Sequence, residues 1–199
     1  MQSKPVKVGI TGGIGAGKSI VCKVFELLGT AIYDADQRAK ELMQESPIVK
    51  QNIKDQFGHA SYESSGKINR SFLAKEVFSD EKKLEILNGI VHPAVDLDFI
   101  NWVSNHIDHK YILKEAALLV ETGSFKRLDF LIVVSAPEEI RIKRILERDK
   151  HRTVKDIRAI ISNQLAEEVK VEAADFVIKN DDNTLLLPQI LKIHNFLLN

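Results

Sequence analysis

The chain is short of cysteine. One thiol, Cys22, stands in 199 residues, so no internal disulfide can form and nothing calls for an oxidising compartment. Cys22 itself reads as a small buried apolar residue. Neither sign of charge is in excess: 28 Lys and Arg balance 28 Asp and Glu. A zero net charge excludes a general polyanion-tracking surface, though a local basic patch stays open. Aromatic residues make up only 7%, and no aromatic–basic stripe for single-stranded nucleic acid is present. Apolar runs such as Phe130 to Val134 are far too short to span a bilayer. The few residues ahead of the first strand candidate leave no room for a signal peptide. The expectation is a cytoplasmic protein acting on small molecules, with no nucleic acid and no membrane. There is no internal repeat and no low-complexity tract. With 44% apolar residues, the chain can bury a sizeable core, as one domain with an insertion or as two small ones.

What is present begins with Gly12-Gly13-Ile14-Gly15-Ala16-Gly17-Lys18-Ser19, which fits the phosphate-loop pattern G-x-x-x-x-G-K-[ST]. An apolar strand candidate, Val6 to Thr11, precedes it. An amphipathic helix from Ser19 to Leu28, closed by Gly29, follows. In that context the glycines let backbone N–H groups turn toward a polyphosphate, and the helix N-terminus adds its positive end. Gly13 to Ile20 are the expected ATP contacts. Lys18 would reach the β- and γ-phosphates, and the Ser19 hydroxyl would hold Mg²⁺.

Further strand candidates are Thr30–Tyr33, Tyr111–Leu113 with an apolar continuation Ala116–Val120, Phe130–Val134 and the weaker Phe176–Lys179. Helical patterns separate them, which predicts an α/β fold: a three-layer parallel sheet of the P-loop NTPase type. Residues 37–109 break the alternation with helical spacing alone and read as a helical insertion for a second substrate. Residues 1–36, 110–140 and 171–199 are the expected nucleotide-binding core, and 141–170 the lid. The lid segment is dense in Arg and Lys, from Arg141 and Arg144 through Arg148 to Arg158, with acids interleaved. It is either a basic lid or a solvated charged helix pair. Residues 184–198 read as one packed helix.

A switch-type GTPase is excluded by the lack of Asn-Lys-x-Asp; Asp55-Gln56-Phe57-Gly58 follows a polar helix, not a buried strand. A motor ATPase would cap an apolar strand with an acid. Ser135-Ala136-Pro137 follows Phe130–Val134 instead, although Glu115 and Glu121 flank another apolar stretch. A small-molecule kinase remains. Asp34-Ala35-Asp36 stands just past the second strand, where one carboxylate can take an acceptor proton and the other orient metal-bound water. The alternative is that both merely cap the next helix. A nucleotide-binding regulator that transfers nothing is the competing class.

At these residues the chain resembles the dephospho-CoA kinase family, which phosphorylates the 3′-hydroxyl of dephospho-CoA with ATP. The likeness runs through Thr11–Ser19, Asp34-Ala35-Asp36, Gly66-Lys67-Ile68-Asn69-Arg70, Leu87-Asn88 with His92-Pro93, Ala117-Leu118-Leu119-Val120-Glu121, Arg144-x-x-x-Arg148-Asp149 and Ala174–Asn180. The resemblance implies Asp36 as base, with Lys18 and Arg144 as the other catalytic groups. It implies Arg148 and Asn180 on ATP. Toward the acceptor it implies Asp34, Asp36, Arg70, His92, Leu118 and Glu121. Arg70 is otherwise a solvated cation, and His92 before proline otherwise marks a turn. Ser65, Ala117 and Ile20 depart from the common Asp, Pro and Thr, and the Lys150–Thr153 loop differs in length. His106-x-x-His109 lacks a third ligand and reads as a polar helix end. A monomer or small homo-oligomer is expected.

Overall fold

The computed structural model describes residues 4–78 and 80–199, without the side chain of Phe78. The first three residues of the lead-in to the first strand lie outside the described residues. By internal contacts the chain divides into two compact units, residues 4–34 with 105–199 and residues 35–104.

The first unit is built on five parallel strands: β1 Val6–Thr11, β2 Ala31–Asp34, β3 Tyr111–Glu115, β4 Phe130–Ser135 and β5 Phe176–Lys179, in the order β2-β3-β1-β4-β5. β1 is central. Val8, Ile10, Ile112, Leu113, Ile132 and Val133 are all fully buried, so both faces of the sheet are covered, as parallel strands require. Helix α1, Lys18–Leu27, lays Val21, Cys22 and Phe25 on one face of the sheet. It stops where Gly29 takes φ 88°, a left-handed turn that ends a helix cheaply only at glycine.

The order also says where chemistry belongs. From β1 the chain crosses toward the β2 edge, and from β3 it crosses to the other side at β4. β1 is therefore the switch point, and open α/β sheets bind ligands at the carboxyl ends of strands beside it.

The second unit is helical: α2 Ala35–Glu45, α3 Pro47–Phe57, α4 Arg70–Phe78 and α5 Glu81–Ser104. Ser46 caps α3 by accepting the Val49 N–H at 3.4 Å, with Pro47 in the first turn. Its own core gathers Val49, Ile53, Tyr62 and Leu73. Arg38 clips α2 to α5 with two bonds to Asp98, of 3.0 and 2.8 Å. Tyr62 and Ile68 form one antiparallel bridge in the connecting loop.

The remaining helices of the first unit are α6 Glu138–Arg148, α7 Val154–Ser162, α8 Glu167–Glu172 and α9 Leu186–Leu198. α7 starts at a reciprocal cap: Thr153 Oγ1 accepts the Asp156 N–H at 3.2 Å, and Asp156 accepts the Thr153 N–H at 3.0 Å. α9 buries Ile190, Ile193 and Leu197 beside α1.

Two expectations need correction. The apolar stretch Ala116–Val120 does not extend β3. The ladder ends where the Ala116 N–H meets the Ile10 carbonyl at 3.2 Å, after which Thr122 N–H bonds back to Leu118 and the chain turns on itself. His92-Pro93 does not mark a turn: it lies within α5, which continues through Pro93 at the loss of one backbone bond.

Candidate active site

The phosphate loop leaves the C-terminal end of β1 and wraps onto α1. Gly17, at φ 95°, supplies the left-handed step into that helix, and a side chain there would collide with the Asn180 amide. A Cβ on Gly13 would overlap the Arg141 guanidinium. These are approaches that only glycine permits. Ala16 N–H closes the loop on the Gly13 carbonyl at 3.1 Å. Lys18 Nζ reaches back to the Gly12 carbonyl at 3.0 Å. In the first turn of α1 the Ile20 and Val21 N–H groups fold back on the Gly17 carbonyl, at 3.1 and 3.3 Å, and the positive end of the helix dipole lies at the loop.

Ser19 and Ile20, in that first turn, are exposed. Behind the loop, the Asn180 amide donates to the Ala16 carbonyl at 2.8 Å in a buried bond. Arg144 Nη2 binds the Asn180 carbonyl and side chain, both at 3.1 Å, and the Asp182 carboxylate. Arg144 Nη1 is buried without a partner, 3.9 Å from where a Gly17 side chain would begin. A guanidinium nitrogen beside a glycine loop can donate a charge-assisted hydrogen bond to an anion. Arg148, at the end of α6, is exposed.

Carboxylates gather at the same edge of the sheet. Asp34 and Glu115 end β2 and β3 and are register partners, and Glu115 also pairs in register with Ile10 of β1. Cys22, 5% exposed, lies among them. Burial first, then the charge and hydrogen bond of Glu115, push its thiol well above the ordinary range. Lys18 and Asp34 act on it as well, so one ammonium and two carboxylates surround this point. Sequence reasoning gave Glu115 no role. Its signal, an acid ending a strand, was present, but the flanking Lys114 and Ala116 hid where that strand stops.

Asp36 stands in the first turn of α2, exposed and two residues beyond Asp34. Arg70 opens α4, and His92 lies on the exposed side of α5; both belong to the helical unit. Leu118 is 44% exposed after β3.

Glu121 has partners inside the first unit. Its Oε1 meets Lys170 Nζ at 2.6 Å and accepts the Leu165 N–H at 3.3 Å. Arg141, counted among the lid cations, is only 7% exposed and lies under the loop. His106 and His109 have ring centres 5.7 Å apart. No group of three or more His, Cys, Asp or Glu able to hold a metal occurs among the described residues. No helix among them is long and apolar enough to cross a membrane.

The comparisons with known proteins agree with this geometry. The family model for dephospho-CoA kinase matches residues 6–185. A curated relative, the dephospho-CoA kinase of Bacteroides fragilis strain YCH46, is 36% identical over 192 residues, 96% of this chain and 93% of its own. A solved structure from Thermus thermophilus superposes with a TM-score of 0.88 at 29% identity, over 99% of this chain and all of that one. The dephospho-CoA kinase structure from Campylobacter jejuni gives 0.69 at 25% identity, over 95% of each chain. With a parallel sheet switching at a phosphate loop, and with these matches along nearly its whole length, the chain belongs to the dephospho-CoA kinase family of P-loop kinases.

Proposed function

We propose that this chain transfers the γ-phosphate of MgATP to the ribose 3′-hydroxyl of dephospho-CoA, giving coenzyme A and ADP. The observation that carries the reading is a glycine loop holding Lys18 at the carboxyl end of β1, the switch point of the strand order, with Asp34 and Glu115 ending the neighbouring β2 and β3 and Asp36 two residues further along the chain. Phosphoryl transfer asks little covalent work of the protein; positioning and charge stabilisation dominate.

In this reading Gly13, Ile14, Gly15, Ala16 and Gly17 form the cradle, and Lys18 spreads charge over the β- and γ-oxygens. Arg144, with its spare buried nitrogen, and the exposed Arg148 add positive charge. Asn180 ties the loop after β5 to the cradle at Ala16. The donors fit Mg²⁺, a hard cation that takes one or two protein oxygens and completes its shell with phosphates and water. The Ser19 hydroxyl would hold it, with Asp34 and Glu115 aligning its waters. When bound it supplies neutralisation of charge on the transferring phosphate.

Asp36 accepts the proton of the 3′-hydroxyl. Because that hydroxyl is a weak acid, orientation matters more than basicity. Residues 35–104 form the acceptor unit, with Arg70 and His92 toward the CoA phosphates and Leu118 toward apolar parts of the acceptor. Glu121, whose Oε1 is engaged by Lys170, lies toward the acceptor after β3. Within the expected lid of residues 141–170, residues 149–162 close over the nucleotide and keep water out. The enzyme works in the cytoplasm as a monomer or small homo-oligomer.

The test is ADP release from MgATP with dephospho-CoA, adenosine, AMP, shikimate or no acceptor in parallel. The expected outcome is turnover with dephospho-CoA alone and a product one phosphate heavier. Turnover with another acceptor overturns the substrate; ATP binding without turnover overturns the reaction.

A further inference from the structure

From the α7–α8 turn into α8 the chain carries Gln164, Glu167 and Lys170 at three-residue spacing. Each reaches a different loop at the carboxyl edge of the sheet. Gln164 Oε1 accepts the Ile14 N–H at 3.0 Å. Glu167 accepts from Ser135 Oγ at the end of β4 and stands 3.8 Å from Arg141. Lys170, 2% exposed, holds Glu121 after β3 at 2.6 Å. A segment fastened at three points, the Lys170 one buried and the other two half-buried, is a fixed base, not a moving flap.

Ile14 is held twice. Its side chain packs against the cluster of Ile142, Ile145 and Ile157 contributed by α6 and α7, while its N–H is taken by Gln164. The Ala16 N–H is committed to the Gly13 carbonyl. The loop therefore spends two of its N–H groups on holding its own shape. At the entry to α1, the Ile20 and Val21 N–H groups return to the Gly17 carbonyl at 3.1 and 3.3 Å. One of the two anchoring bonds comes from a side chain 150 residues away.

We propose that Gln164 is a positioning residue for nucleotide binding: through Ile14 it holds the phosphate loop in the shape that wraps a polyphosphate. This rests on the kinase reading above. It acts before chemistry, so its loss weakens nucleotide binding and leaves turnover at saturation nearly intact.

The test compares Gln164→Ala, which removes the acceptor, with Gln164→Glu. The glutamate keeps an oxygen at the same reach, and the Arg141 guanidinium beside Gly13 offsets its charge. Two quantities are measured: hydrogen exchange at the Ile14 amide in the nucleotide-free protein, and MgATP affinity. In Gln164→Ala, Ile14 exchange should speed up about tenfold and MgATP binding should weaken roughly five- to tenfold, the worth of one internal hydrogen bond. Gln164→Glu should restore most of both. Unchanged Ile14 exchange, unchanged MgATP affinity, or a Gln164→Glu protein as defective as Gln164→Ala overturns the proposal. If the wild-type chain binds no MgATP, the kinase reading falls instead, and Ile14 exchange alone decides whether Gln164 anchors the loop.

Discussion

Replacing Glu121 with Gln should unfold the first unit far more easily than its position on a loop implies. Lys170 is 2% exposed and Glu121 15%, with 2.6 Å between Nζ and Oε1. Removing the carboxylate charge leaves an ammonium buried without its counter-ion. Breaking a buried pair in this one-sided way costs about 3–5 kcal/mol. For a chain of this size each kcal/mol moves the midpoint by roughly 2–4 °C, so Tm should fall by about 10 °C. The natural reporter is Cys22, which is buried in the same unit and gains reactivity toward a thiol reagent only when that unit opens. The double variant Glu121→Leu/Lys170→Met removes both charges and should recover most of the loss, because an apolar pair of similar volume needs no counter-ion. A drop under about 1 kcal/mol for Glu121→Gln, or a double variant no better than the single one, would refute the claim that this pair is energetically buried.

Lys18→Met should lower kcat/KM for MgATP by roughly two to three orders of magnitude, since it removes the charge aimed at the phosphates while the loop backbone stays; steady-state ADP release checks it. Asp36→Asn should keep MgATP affinity within about twofold and cut turnover by roughly a hundredfold or more; normal turnover removes the base assignment. The raised thiol of Cys22 makes stability depend on pH. A group whose folded pKa lies above its unfolded value stabilises the fold below that unfolded value and loses the contribution as pH rises. Stability should therefore decline between about pH 9 and 10, by up to about 1.4 kcal/mol per unit, and Cys22→Ala should flatten that slope. Urea unfolding at several pH values measures it. The window ends there because Tyr62 and Tyr111, pushed up to about 12 by burial, begin to contribute above the ordinary tyrosine value near 10.

The sheet and its phosphate loop were legible because each rests on a local pattern. Val6–Thr11 and Phe130–Val134 are nearly all apolar on both faces, and Gly12–Ser19 is a contiguous signature. β3 was blurred because it ends in Lys114 and Glu115, so its polar tail broke the apolar pattern while the following Ala116–Val120 imitated a strand. Arg141 was hidden in a run of basic residues. Composition cannot say which of several arginines turns inward, and only the missing side chain at Gly13 makes room for this one. The clasp at Gln164, Glu167 and Lys170 has no short signature, because its partners Ile14, Ser135 and Glu121 are brought near only by the strand order. Asp36 was readable as a carboxylate after a strand.

The central place of β1 also bears on how the chain is made. β1 comes first from the ribosome, yet its neighbours start at Tyr111 and Phe130. At about 5–20 residues per second, an apolar strand waits roughly 5–20 seconds for its first partner. The helical unit of residues 35–104 is complete by then and draws on contacts within itself. The order of synthesis thus runs against the order of importance: the helical unit can mature while β1 is still unpaired, and this interval is when the nascent chain is most open to chaperone capture or to pairing with another chain.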